Sequence, residues 1–120
     1  MAHILIIDDE KQIRAFLRKL LESNGYTVTV ASDGSEGVEC YKKNEIDLVI
    51  TDLIMPEQEG LGTIEQLLQI NAAAKIIAMS GGGKIAPDNS LHTAKLLGAV
   101  ATFNKPVRTA DLLKTIDELI

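Results

Sequence analysis

The chain has 120 residues, enough for one domain and too few for two ordinary ones, and its 46% hydrophobic and 24% charged residues suit a chain with a true core. A formal charge of −5 argues against broad nucleic-acid binding and against attraction to an anionic membrane surface, both of which reward positive charge. The single cysteine, Cys40, excludes an internal disulfide, no apolar run approaches the ~20 residues that span a bilayer, and Met1-Ala2-His3 does not open a secretory signal.

The default expectation is therefore a soluble cytoplasmic domain over residues 1–120, and its apolar periods switch regularly along the chain. Residues 3–7 form a short continuous apolar strand that stops abruptly at Asp8-Asp9-Glu10. Ile13, Phe16, Leu17, Leu20 and Leu21 then recur at helical spacing until Asn24-Gly25 ends the helix. Thr27 to Ala31 reads as a second strand, Asp33-Gly34-Ser35 as a break, and a weaker helix runs to about Lys43. Asp47 to Thr51 is a third strand ending at Asp52, followed by a helix over Gly60 to Ile70. Lys75 to Met79 is a fourth strand ending at Ser80, after which a glycine-rich, pliable connection covers residues 80–89. A fourth helix is expected from Ser90 to Leu97, closed by Gly98, then a fifth strand from Val100 to Phe103 ending at Asn104-Lys105-Pro106. Thr109 is placed to cap a fifth helix with Leu112, Leu113, Ile116, Leu119 and Ile120 inward.

Strands alternating with helices imply βαβ units, and near-uninterrupted apolar strands imply a parallel sheet covered on both faces. The expected fold is α/β, a single five-stranded parallel sheet of order 2-1-3-4-5 with five helices on its two faces. In such a sheet all strand ends share one edge, where open α/β sheets bind ligands. Strand one ends in Asp8 and Asp9, strand three in Asp52, strand four in Ser80 and strand five in Lys105, while strand two ends in Ala31-Ser32. Order 2-1-3-4-5 brings tips one and three together and moves tip two away. Three carboxylates then face one ammonium, and the excess negative charge calls for a cation. Oxygen donors with no His or Cys nearby point to a hard divalent ion, Mg²⁺ foremost. Taken singly, Asp9 is a helix cap, Ser80 a turn residue, Lys105 solvated surface and Asp52 a turn initiator; their joint appearance at four tips of one sheet carries the functional reading.

With these residues in place the whole chain resembles the receiver domain of two-component response regulators. The likeness rests on the apolar strand before Asp8-Asp9, Asp52 in "TDLIMPEQEG", Ser80 in "AMSG", Gly98-Ala99, and Lys105-Pro106. The resemblance implies a flavodoxin-like fold and names Asp52 as the acceptor of a phosphoryl group from the phosphohistidine of a sensor histidine kinase or histidine phosphotransfer protein. It implies that Asp9, Asp52 and the backbone carbonyl of Ile54 hold Mg²⁺, with Asp8 acting largely through water. It also implies that Lys105 pairs with one phosphoryl oxygen, Ser80 with another, and that the Lys105–Pro106 bond is cis. Phosphorylation would then switch the face built from the fourth helix, fifth strand and fifth helix, for an output domain or a downstream protein to read. Such a chain catalyses its own phosphorylation and slow dephosphorylation rather than turning over a substrate.

Two departures from the family pattern stand out. The aromatic that usually lies three residues before the lysine is Thr102 here, and Phe103, one step later, should point to the other side of the sheet. The connection after Ser80 is also longer than usual, so ordering of that segment can replace an aromatic flip. Ile54 and Gly82, flanking the expected water path, offer no side-chain hydrogen bond, so only modest self-hydrolysis is expected. Glu10 is read chiefly as favouring the helix dipole, with assistance to the metal site through water as its lesser alternative, Glu57 and Glu59 as solvated, Cys40 as helix packing, and His3 and His92 as surface or core positions without ligand spacing. A Mg²⁺-dependent aspartyl-phosphate hydrolase is the alternative of enzyme class, disfavoured because its Asp-x-Asp start meets Glu10 here. A degenerate receiver that binds partners without phosphorylation is the other, opposed by the intact Asp8, Asp9, Asp52, Ser80 and Lys105.

Overall fold

The continuous apolar runs of the sequence become the central strands of a sheet buried on both sides. In the computed structural model, which describes residues 2–53, 60–81, 94–95 and 97–120, β1 (His3–Ile7), β2 (Thr27–Ala31), β3 (Leu48–Asp52), β4 (Ile76–Gly81) and β5 (Ala101–Lys105) form one sheet. Every pairing is parallel and the order is β2-β1-β3-β4-β5, the flavodoxin-like arrangement expected. Ile4 to Ile7 of β1 and all five residues of β3 are buried, whereas the outer strands β2 and β5 are only partly so. Strands covered by helices on both faces cannot alternate polar with apolar residues, and the central ones do not.

Alternate strand residues feed two separate cores. Leu5, Ile7, Val49, Ile76 and Ala78 pack with Val38 of α2 (Gly34–Lys43) and with Ile64 and Leu67 of α3 (Gly60–Ile70). On the opposite face Ile4, Ile6, Ile50, Ile77 and Met79 pack with Leu17 and Leu21 of α1 (Lys11–Ser23) and with Leu112 and Ile116 of α4 (Thr109–Leu119). Phe103 joins this second core and Thr102 pairs with Ala78, so the alternation read from the sequence holds. The last turn of α4 is tied to the sheet's other edge by a hydrogen bond from the Tyr26 hydroxyl to Asp117 and one from the Lys75 ammonium to the Leu119 carbonyl. Cys40 packs half-buried against the first core, and the His3 ring shares a 2.6 Å hydrogen bond with Thr29 Oγ1. No helix among the described residues is long and apolar enough to cross a membrane.

Element ends follow from local chemistry, with four corrections to the expectations. Asn24 and Gly25, the latter at φ 91°, end α1 as expected, and Asp33 caps α2 by accepting the Glu36 N–H at 2.8 Å. Glu36 answers by accepting the Ser32 N–H at 2.8 Å, so two otherwise orphaned donors are satisfied together. The helix expected to be capped by Thr109 starts there instead: Arg108 is the N-cap, its carbonyl accepts the Leu112 N–H, and no side chain caps it. Burial of Leu112 and Ile116, not a hydroxyl, fixes this register. Strand β4 runs to Gly81, beyond the expected end at Met79. Strand β5 spans Ala101–Lys105 rather than Val100–Phe103, because β4 continues to pair with it through Ser80–Asn104 and Gly81–Lys105. Lys105 is thus a strand residue, not the start of a loop. The described residues contain four bounded helices rather than the five expected. Of the expected fourth, over residues 90–97, Ala94, Lys95 and Leu97 are described and helical, and Gly98 at φ 128° closes them by donating its N–H to the Ala94 carbonyl. The expectations placed on Ile54, Glu57, Glu59, Gly82, His92 and the 82–89 connection lie outside the described residues.

One close approach holds a helix against the strand that leads into the site. A Cβ added at Gly37 would lie 2.3 Å from Ile7 Cδ1 and 2.7 Å from its Cγ1. Ile7 is wholly buried, so its side chain would have to shift within the core to admit that Cβ. Gly37→Ala gains up to about 1 kcal/mol of helix propensity but overpacks this contact at a cost of about 1–3 kcal/mol. A lower urea midpoint is expected, and an unchanged or higher one would contradict this seating of α2.

Candidate functional site

Parallel pairing puts the chemistry at one edge. Ile7 lies opposite Thr51, so the residues that follow, Asp8 and Asp52, come side by side. Asp52 lies opposite Met79, and Ser80, buried on β4, is the next residue along that strand. The Lys105 side chain extends from the end of β5 toward the tips of β1 and β3. Its ammonium lies 2.8 Å from Asp8 Oδ2, 3.4 Å from Glu10 Oε1 and 3.5 Å from Asp52 Oδ2. Asp8 is held by its neighbours: Oδ1 accepts the Glu10 N–H at 2.9 Å, and its backbone carbonyl accepts Arg14 Nη1 at 2.8 Å. The Lys105–Pro106 peptide bond is cis, as expected.

Four of the expected site residues, Asp8, Asp9, Asp52 and Lys105, are therefore brought together, and Ser80 is placed on the adjoining strand. Glu10 is the residue the sequence reading undervalued. Its side chain makes no capping hydrogen bond, and its carboxylate turns instead to Lys105. The available signal was three acidic residues in a row at the tip of a buried strand, where the chain must curl from strand into helix. One oxygen from each of Asp8, Asp9, Glu10 and Asp52 can be chosen so that all four lie within 4.8 Å of one another.

The electrostatics follow from burial. Asp8 and Asp52 are fully buried and the Lys105 side chain is only 4% exposed, so none of the three charges is well hydrated. Burial pushes the Asp8 carboxyl above the ordinary carboxylate range; the Lys105 and Glu10 N–H hydrogen bonds oppose this and the Asp52 charge adds to it. Burial alone would lower the Lys105 pKa, but its hydrogen bond to Asp8 and the charges of Asp8, Asp52 and Glu10 outweigh it and hold the ammonium above its usual range. Four carboxylates and one ammonium leave the cluster strongly negative. All are oxygen donors and the cluster contains no His or Cys, which is the donor set of Mg²⁺ rather than of a softer metal.

A pH dependence follows for the metal-free protein. The folded state holds the Asp8 proton more tightly than the unfolded chain, so Asp8 favours folding most below its ordinary value near 3.8. That contribution is lost as pH rises through the raised pKa. Relative to wild type, Asp8→Asn is expected to grow more stable with rising pH across this window and then level off. Urea unfolding at several pH values checks this, and a stability of Asp8→Asn relative to wild type that falls as pH rises would contradict the burial argument.

Known proteins resemble this chain in sequence and in fold. The family model described as "Response regulator receiver domain" matches residues 4–117. The chain is 34% identical to the chemotaxis protein CheY of Bacillus subtilis over 122 aligned positions, covering 100% of this chain and 99% of that one. It is also 34% identical to a response regulator receiver domain protein of Clostridium thermocellum, with a TM-score of 0.91 and coverage of 100% and 94%. The response regulator TrrA of Thermotoga maritima, solved in complex with Mg²⁺–BeF, matches at 28% identity and a TM-score of 0.84, each chain covered completely. Receiver domains bind Mg²⁺ at an acidic pocket of this kind, and the chain belongs to the response regulator receiver domain family of two-component systems.

Proposed function

We propose that Asp52 accepts a phosphoryl group from the phosphohistidine of a sensor histidine kinase or a histidine phosphotransfer protein. The single observation that carries this reading is the buried Lys105 ammonium shared by Asp8 and Asp52 at the tips of three strands. A carboxylate oxygen of Asp52 forms the new O–P bond while the P–N bond of the donor breaks. The electron pair stays on the nitrogen released from phosphorus, and because the other ring nitrogen is protonated before transfer the ring leaves as neutral imidazole. Carboxylates are established nucleophiles of this type, and phosphoryl transfer asks the protein mainly for position and charge compensation. Lys105, already 3.5 Å from Asp52, is placed to follow a phosphoryl oxygen, and Ser80 is the hydroxyl assigned to another. Asp9 and Asp52 would hold Mg²⁺, with Asp8 beside them through water and the Ile54 carbonyl as a further ligand. When bound, that ion supplies the positive charge that four carboxylates and an incoming phosphoryl group require.

The surroundings supply a place for the donor. A cavity of about 290 Å³ between α1 and the chain leaving β5 is lined by Ile13, Phe16, Leu17, Met79, Pro106 and Val107, and it shares Glu10 and Lys105 with the acidic cluster. Phe16 is 52% exposed there, an apolar surface on which a protein presenting its phosphohistidine to Asp52 can rest. Ser80 and Lys105 lie on neighbouring strands, so movement of both toward a phosphoryl group would bias the face made by β5 and α4. That face would be read by an output domain or a separate protein, in the cytoplasm where the kinase domains act.

Incubation with Mg²⁺ and a small P–N phosphodonor tests the reading. A slowly lost, hydroxylamine-labile phosphoryl group at a stoichiometry approaching one per chain is expected. Rapid turnover of unrelated phosphate esters would instead indicate the hydrolase, and no incorporation would indicate a phosphorylation-independent binding module.

A further inference from the structure

We infer that Glu10 is a specificity-determining residue that selects the class of phosphodonor, favouring P–N donors whose leaving group carries a proton and disfavouring acyl phosphates whose leaving group is an anion. This deepens the proposed function and rests on Asp52 being the phosphoacceptor. Three carboxylates surround Lys105, and they differ in their access to solvent. Asp8 and Asp52 are fully buried, whereas the Glu10 side chain is 37% exposed while remaining 3.4 Å from the ammonium. Glu10 also lines the cavity beside the cluster. Its charge therefore stands on the solvent side of Asp52, where a donor arrives and its leaving group departs.

Coulomb's law fixes the sign of the effect. A donor that is a dianion meets twice the repulsion of a monoanion; a carboxylate leaving group gathers negative charge as its bond breaks and is repelled, whereas a leaving nitrogen protonated before transfer carries positive charge until its bond breaks and is attracted. In both transfers the Asp52 O–P bond forms. With acetyl phosphate the P–O bond breaks and its electron pair leaves on acetate; with phosphoramidate the P–N bond breaks and the pair leaves on ammonia. Phosphohistidine belongs with the second, since its ring is protonated before transfer and leaves as neutral imidazole. The Glu10 backbone is fixed without help from the carboxylate: its N–H donates to Asp8 Oδ1 at 2.9 Å and its carbonyl accepts the Arg14 N–H at 3.1 Å. Replacement by glutamine thus removes the charge and leaves the chain path in place.

The experiment measures the second-order rate of phosphoryl incorporation from acetyl phosphate and from phosphoramidate at pH 7, with saturating Mg²⁺ determined separately for wild type, Glu10→Gln and Glu10→Asp. In Glu10→Gln the acetyl phosphate rate is expected to rise and the phosphoramidate rate to fall, shifting their ratio about tenfold. Glu10→Asp should restore most of the wild-type ratio, and added salt should shrink the difference between wild type and Glu10→Gln. Rates that change in proportion, or do not change, would overturn the inference, because a purely structural or metal-holding role moves both donors alike. Labelling of wild type by neither donor would instead overturn the assignment of Asp52, so the two failures are distinct.

Discussion

Asp52→Asn is expected to reduce phosphoryl incorporation below detection while raising the melting temperature of the metal-free protein. An amide has no carboxylate oxygen to form an acyl phosphate, so the chemical loss is complete rather than partial. The stability gain comes from the same residue. Asp52 is fully buried within 4.8 Å of three other carboxylates, and its charge helps push the Asp8 carboxyl upward. Removing that charge relieves repulsion while Lys105 keeps Asp8 at 2.8 Å and Glu10 at 3.4 Å. A gain of about 1 kcal/mol is expected, the scale of one carboxylate pKa displaced by one unit. Thermal melts in chelator and phosphoryl incorporation with Mg²⁺ check the two halves. A variant that is inactive but melts lower would mean that Asp52 holds the fold together.

Lys105→Ala should act in the opposite sense on stability and in the same sense on chemistry. It leaves Asp8 and Asp52, both fully buried, without the ammonium they share. Breaking a buried pair from one side costs about 3–5 kcal/mol, so this is the most destabilising of the substitutions considered. Loss of a donor aimed at the transferring group should slow phosphoryl incorporation by about 10²–10³-fold. Mg²⁺ should stabilise Lys105→Ala more than wild type, since the added cation replaces the missing one, and should stabilise Asp52→Asn least. Thermal shifts in chelator and in saturating Mg²⁺ give this order directly. Equal shifts in all three proteins would contradict the view that one cluster holds both the ammonium and the metal.

The fold was legible where burial leaves little choice. Runs such as Ile4 to Ile7 and Leu48 to Ile50 cannot lie on a half-exposed sheet, so helices must cover both faces and the connections must be parallel crossovers. The placement of Asp8, Asp52, Ser80 and Lys105 at successive tips then selected the strand order that the structure shows. What escaped was decided by partners distant in sequence. Extension of β5 through Asn104 and Lys105 depends on Ser80 and Gly81 continuing the ladder, which no local pattern in either segment announces. The start of α4 at Thr109 is set by the depth to which Leu112 and Ile116 sink, overriding a good capping residue. Glu10 ranks first as a helix-dipole residue and only second as part of the metal site, because a carboxylate at a helix start has a sufficient local role. Its turn toward Lys105, 95 positions away, exists only once β1 and β5 share a sheet edge.

Borohydride trapping addresses the central assignment without reference to rates or stability. An acyl phosphate on a carboxylate is reduced by borohydride to an alcohol, so a phosphorylated aspartate is converted to homoserine in place. After incubation with phosphodonor and Mg²⁺, trapping and peptide mass spectrometry should find homoserine at position 52 and at no other carboxylate of the cluster. Homoserine at position 8 or 9, the five-carbon alcohol 5-hydroxynorvaline at position 10, or a phosphate retained on the Ser80 hydroxyl would contradict the account.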